Sequence, residues 1–139
     1  MPERPKPVPV PDEWSQGYWE AARDGRLVVQ RCDDCGHAQY PPEVICAKCQ
    51  SANLGYADAS GQATMYSFGV FPRSLMPVFE APYAVALVDL DDHPGVRMMT
   101  NIVDADLSTL EIGMPLEVVF EPRGAWQVPQ FRPMVEGVR

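Results

Sequence analysis

All four cysteines of the chain lie in one short stretch, CDDCGHAQYPPEVICAKC at residues 32 to 49, as two Cys-x-x-Cys pairs. Two residues between cysteines place both sulfurs on one tight turn. Two such turns complete a tetrahedron around a single metal ion, and four soft thiolates suit zinc in a closed structural site. Cys32, Cys35, Cys46 and Cys49 are therefore predicted to hold a structural Zn2+ in a short zinc ribbon, where the metal stabilises the fold and does no chemistry. Iron in the same cage stays open, and colour would distinguish it. Gly36 follows the first pair and suits a left-handed turn that lets backbone N–H groups face the thiolates. Gln50 holds the matching place after the second pair, which predicts slight strain there. Arg31 and Lys48 stand beside the ligands and offset their charge, and His37 is only a minor competitor, since four thiolates already fill the tetrahedral shell. A thioredoxin-type redox pair would belong near a βαβ pattern, and none is visible.

A length of 139 residues is about one domain. The hydrophobic share of 46% with 22% charged residues is ordinary for a globular protein, while 15 prolines argue against long helices. No run approaches the roughly 20 apolar residues that cross a bilayer, and MPERPKPVPVP lacks the apolar centre of a secretory signal. The expected location is the cytoplasm, where thiols stay reduced and paired Cys-x-x-Cys motifs read as metal ligands rather than disulfides.

Three parts follow along the chain: a proline-rich arm and helix over 1–25, the zinc ribbon over 26–56, and a β domain over 57–139. Residues 1–11 favour an extended polyproline II arm. DEWSQGYWEAARDGRL reads as a helix over 12–25, with Asp12 as N-cap, Gly25 as stop, and Trp14, Tyr18 and Ala22 on one face that Trp19 extends. Those aromatics either pack on the ribbon or dock a partner protein, and sequence alone does not separate the two. Beyond the ribbon the pattern turns to period two, predicting strands at 61–71, 83–92, 96–104, 114–122 and 126–134. Five short strands with no helix among them fit a small antiparallel barrel such as the OB-fold, so the fold class is mainly β. Residues 72–82 form a long loop, of a length that is often functional.

Zinc ribbons and OB-folds both serve nucleic-acid binding, but a net charge of −8 and a pI near 4.6 oppose it. Tyr66, Phe68 and Phe71 read instead as barrel core and rim. Catalysis has no evident nucleophile. Every thiol is assigned to metal, and His37 and His93 fall in the ribbon and a hairpin turn, away from an evident serine or acid partner. A carboxylate acting alone as acid or base stays open among 19 acidic residues.

The order of helix, RLVVQRCDDCGHAQYPPEVICAKC, GQATMYSF, PYAVALVDLDD, IGMPLEVVFEP and FRPM resembles the acyl-CoA-associated proteins that join a rubredoxin-like zinc ribbon to an OB-fold. The likeness runs from about residue 12 to residue 135. Gln50 in place of glycine, and the lack of proline after Cys46, depart from the commonest second knuckle without touching the ligands. The resemblance implies a non-catalytic accessory subunit in a hetero-oligomer. Its partners would be thiolase-fold enzymes, including lipid-transfer-type thiolases and aldolases acting on steroid side-chain CoA thioesters, or hydratases of the MaoC type. A free-standing acyl-CoA-binding protein or CoA-thioester enzyme is the alternative reading.

If acyl-CoA touches the chain, its phosphates need cations, and Arg73, Arg97, Arg123 and Arg132 are the available ones. Leu75, Met76 and Phe79 in the long loop are candidates for the acyl or pantetheine portion, or, with Trp14, Tyr18 and Trp19, for a partner surface.

Overall fold

The computed structural model describes residues 6–76 and 78–134. Its single α-helix, α1, spans Gln16–Arg23, with Ser15 at the N-cap. This is shorter than the expected 12–25. Asp12 closes a turn ahead of the helix, its carboxylate accepting from the Ser15 backbone N–H at 3.0 Å. The far end closes as the glycine predicts. Gly25 takes φ 78°, the Gly25 N–H reaches the Ala22 carbonyl at 3.0 Å and the Arg26 N–H the Ala21 carbonyl at 2.8 Å, a Schellman closure. Tyr18, Ala21 and Ala22 are buried.

Three strands, β1 (Val28–Cys32), β2 (Ala38–Gln39) and β3 (Leu54–Asp58), form the ribbon sheet in the order β2-β1-β3, all antiparallel. Val28 and Val29 on β1 turn into the core, while Arg31 faces solvent. Five further strands close a barrel in the order β4-β5-β6-β8-β7: β4 (Gln62–Phe71), β5 (Tyr83–Leu90), β6 (Arg97–Ile102), β7 (Pro115–Arg123) and β8 (Trp126–Pro133). A 3-10 turn at Leu107–Thr109 lies between β6 and β7.

The barrel is not wholly antiparallel, as the sequence suggested, because β6 and β8 run parallel. An odd number of strands that alternate in direction cannot close a ring without one parallel pair. That seam has a single aligned pair, Ile102 with Phe131. The Gln130 side chain bridges it further, accepting from the Asn101 N–H at 2.9 Å and the Thr100 hydroxyl at 3.0 Å. On β5 alternate residues Ala84, Ala86, Val88 and Leu90 fill the interior, which is the period-two signal made physical. A bulge between Met65 and Ser67 lets β4 bend, pairing with β7 through Gln62–Thr64 on one edge and with β5 from Ala63 to Phe71 on the other.

Ribbon and barrel share one core, which runs from Tyr18, Leu27 and Val29 to Met65, Met98 and Phe131. Polar ties reinforce the joint. Gln127 on β8 donates to the Ala22 and Arg23 carbonyls at 3.1 and 3.0 Å, satisfying the end of α1. His93, in the β5–β6 turn, donates through Nε2 to the Asp58 carbonyl at 2.8 Å. Gly61 sits between the two sheets at φ 86°, where a Cβ would lie 2.4 Å from the Val118 side chain. Among the described residues no helix is long and apolar enough to cross a membrane.

Candidate functional site

The four cysteine sulfurs lie within 4.8 Å of one another. Cys32 and Cys49 are separated by 3.5 Å and Cys35 and Cys46 by 3.6 Å. Four sulfurs each about 2.3 Å from one zinc ion stand about 3.8 Å apart, so the spacing fits a tetrahedral ion. His37 is not part of this cluster among the described residues; its carbonyl instead accepts from the Cys32 N–H at 2.9 Å.

Each knuckle is built the same way. In the first, the Gly36 N–H bonds the Cys32 carbonyl at 2.9 Å and the Cys35 N–H faces the Cys32 sulfur at 3.4 Å. In the second, the Gln50 N–H bonds the Cys46 carbonyl at 2.9 Å, and the Lys48 and Cys49 N–H groups face the Cys46 sulfur at 3.3 and 3.5 Å. Gly36 has φ 79° and Gln50 φ 65°, so Gln50 takes a conformation that costs an L-residue about 1–2 kcal/mol.

These dipoles divide the thiols. The Cys35 N–H, above all, holds Cys32 below the usual thiol range against the opposing effect of burial. The Cys49 N–H brings Cys46 down to about 7, helped by that of Lys48. For Cys49 the Ser51 N–H favours the thiolate, but contact with Cys32, burial, and the closeness of Cys35 and Cys46 outweigh it and push the thiol up to about 12. Four thiolates cannot coexist here unaided, and a divalent cation at the centre supplies the missing charge. The group that fits is structural zinc on Cys32, Cys35, Cys46 and Cys49, with every coordination position filled by protein.

A second layer positions the ligands. Gln30 and Gln39 are both buried on the ribbon sheet. Gln39 donates to Gln30 Oε1 at 2.7 Å and to the Ile45 carbonyl at 3.1 Å, and accepts from the Ala47 N–H at 2.8 Å. Gln30 in turn holds the Glu43 backbone from both sides, at 2.8 and 2.9 Å. The amide pair thus fixes the chain on both sides of Cys46. Asp34 ties the knuckles together by accepting from Ser51 Oγ and, at 3.2 Å, from Asn53 Nδ2.

On the barrel, a cleft of about 310 Å³ lies between the long loop and the β6–β7 connection, lined by Phe79, Tyr83, Asn101, Leu107, Glu121 and Gln130. A neighbouring cleft of about 340 Å³ shares Phe79, Asn101 and Gln130 and runs on to Trp19 and Arg123. Lys6 and Pro7 of the arm lie here too. Lys6 pairs with Glu121 at 2.9 Å, and Arg123 donates to the Pro7 carbonyl at 3.1 Å.

The residues singled out in the sequence are thus scattered. Tyr18 is only 3% exposed, with its ring edge-on to Trp19 at 4.9 Å, so it is spent inside the chain and offers no outer surface. Trp14 precedes the helix and is exposed, as is Met76. Of the four arginines, Arg97 pairs with Asp89 at 2.7 Å and lies over the Tyr66 ring, and Arg132 pairs with Glu117 at 3.1 Å. Arg123 is largely covered and pairs with Glu121 at 3.0 Å. Arg73, in the long loop, has no ion pair among the described residues.

A closed four-thiolate ribbon packed on a five-stranded barrel defines a metal-stabilised ribbon–barrel protein. Residues 19–55 match the family model described as the ChsH2 rubredoxin-like zinc ribbon domain, and residues 56–121 match the ChsH2 C-terminal OB-fold domain. The chain belongs to this family, whose members include proteins described as DUF35.

Three relatives frame it. Over 135 residues the chain is 36% identical to a probable enoyl-CoA hydratase alpha subunit of Thermomonospora curvata, covering 96% of this chain and 42% of that protein. The chain therefore spans less than half the length of that relative. It is 33% identical over 96 residues to a DUF35 domain-containing scaffold protein of Methanothermobacter thermautotrophicus, covering 68% of this chain and 71% of that one. Among solved structures it is similar to a chain of an Ltp2-ChsH2(DUF35) aldolase, with a TM-score of 0.83 and 35% identity over 92% of this chain and 100% of that one.

Proposed function

We propose that this protein is a non-catalytic accessory subunit of a CoA-thioester-processing complex, docking a thiolase-fold enzyme or a MaoC-type hydratase. The observation that carries this reading is the likeness to the Ltp2-ChsH2 aldolase chain, which this protein matches over that chain's whole length. The hydratase alpha subunit and the scaffold protein among its relatives point the same way. The chemistry of the chain agrees. Its cysteines are committed to one closed cluster, and His93 spends Nε2 on a backbone carbonyl.

Within this reading, acyl-CoA contacts the barrel at the Phe79 clefts, where Lys6 and Arg123 lie 5.8 and 5.9 Å from the Phe79 ring centre. Of Arg73, Arg97, Arg123 and Arg132, Arg123 lines one of these clefts and is proposed first for the phosphates.

The test is turnover. The pure, zinc-loaded chain is expected to leave acyl-CoA and enoyl-CoA thioesters unchanged, while the assembled complex consumes one of them. Steady turnover by the pure chain, abolished by substitution within it, would replace the accessory role with that of a free-standing enzyme.

A further inference from the structure

The zinc ribbon carries a cleft of its own, about 410 Å³ in volume and remote in sequence from the barrel clefts. Trp14, Val44, Leu54 and Tyr56 supply apolar and aromatic walls, and the exposed acidic residues Glu13 and Glu43 also line it. Trp14, Val44 and Tyr56 are all exposed. These walls are held in place. The Tyr56 hydroxyl donates to the Trp14 carbonyl at 2.7 Å, and the Tyr56 ring lies against Gly17, where a Cβ would come within 2.5 Å of it. The opposite wall is pinned by the two hydrogen bonds between Gln30 and the Glu43 backbone.

Charge singles this cleft out. Asp58, Asp89, Glu117 and Glu121 are each neutralised by a lysine or arginine of the same chain. The Glu13 and Glu43 side chains have neither an ion pair nor a hydrogen bond among the described residues, and the cleft lining contains no cation. Two unanswered carboxylates beside aromatic rings complement a planar cation. A guanidinium bonds carboxylates through its fork and stacks on rings, whereas an ammonium does only the first well. A phosphate backbone would be repelled.

We infer that this cleft receives an arginine side chain of the partner enzyme, with its guanidinium at Glu13 and Glu43 and its stem against Trp14 and Tyr56. The inference rests on the accessory-subunit reading and adds to it the place and chemistry of one contact.

The probe is N-acetylarginine amide, titrated into the full, zinc-loaded chain and followed by NMR at the Trp14 indole and the Tyr56 backbone. N-acetylcitrulline amide, equal in shape but uncharged, is the control. The arginine compound is expected to shift both signals saturably, and the citrulline compound to bind at least about tenfold more weakly, a difference of about 1.4 kcal/mol. The double variant Glu13→Gln/Glu43→Gln, checked for unchanged zinc content and thermal midpoint, is expected to lose that preference. Equal shifts by both compounds, no shift, or an unchanged preference in the variant would overturn the inference.

Capture from native cells separates this from the broader reading. Wild-type chain that recovers a CoA-thioester enzyme, while Glu13→Lys/Glu43→Lys recovers about tenfold less, supports both. Equal recovery overturns the cleft alone. Absence of any enzyme with either chain counts against the accessory role, and the titration then decides the cleft by itself.

Discussion

Gln50 and Gly36 occupy equivalent places in two knuckles that share their hydrogen-bond pattern, and only one of them is a glycine. The left-handed backbone at Gln50, φ 65°, stores strain that Gln50→Gly would release, less the entropy glycine gains on unfolding. The variant is predicted to stabilise the zinc-loaded protein by about 0.5–1 kcal/mol, seen as a higher thermal midpoint and slower zinc loss to a chelator. A lower midpoint would contradict this account of the second knuckle. The site was legible here because the repeat Cys-x-x-Cys-Gly and Cys-x-x-Cys-Gln exposes its own irregularity. Gln30 and Gln39 were not legible. Their partners are backbone groups at 43, 45 and 47, brought near only by folding, and no spacing rule marks a glutamine as a ligand support. Replacing Gln39 with Leu removes the side-chain partner of the Ala47 N–H, the Ile45 carbonyl and Gln30 Oε1, the last of them buried. A loss of about 2–4 kcal/mol is predicted, with faster zinc release to a chelator and the barrel signals unchanged by NMR.

At the level of elements, strand alternation located β5 and β6 well because every second residue of each faces a closed interior, as β5 shows residue by residue. The ribbon strands were harder. β2 has two residues and β3 has no clean alternation, so neither carries a periodic signal. Helix α1 began later than expected because Asp12 and Ser15 bond one another in a preceding turn, and both are good caps. The prolines mark the arm as extended but carry no sign of where it lands. Its anchor, Glu121, would be raised by burial, yet hydrogen bonds from Lys6 and Gln130 and the charges of Arg123 and Lys6 outweigh this and hold it below the usual glutamate range. Stability from that anchor is therefore complete above pH 4.5 and lost as pH falls through the lower folded value. The arm is predicted to stay bound to the barrel at neutral pH and in mild acid, and to detach only as the pH falls through the depressed folded value of Glu121, read by NMR contacts between Val8 and Gly124. In Glu121→Gln those contacts should already be weakened at neutral pH. Contacts unchanged across the acid range would show that the ion pair does not anchor the arm.

For the whole molecule, the shared core is decisive. Tyr18, Leu27 and Val29 of the ribbon half pack into the same cluster as Met65 and Phe131 of the barrel, and Gln127 caps α1 across the joint. Ribbon and barrel should unfold together. Chelating the zinc is predicted to lower the midpoint of a single thermal transition rather than split it in two; two separated transitions would mean that the barrel stands alone. The same packing governs how docking can be studied. Deleting the first 25 residues would remove Tyr18, Ala21 and Ala22 from the core, so loss of a partner in that deletion would report unfolding, whereas surface substitutions at Glu13 and Glu43 leave the core untouched.

The accessory role is tested most directly by mass spectrometry of what co-purifies with the tagged full chain from its native cells. The account predicts a thiolase-fold enzyme or a MaoC-type hydratase in fixed ratio to the chain, in a complex that turns over a CoA thioester the chain alone does not. A chain recovered without such an enzyme, from cells shown to express both, would contradict it.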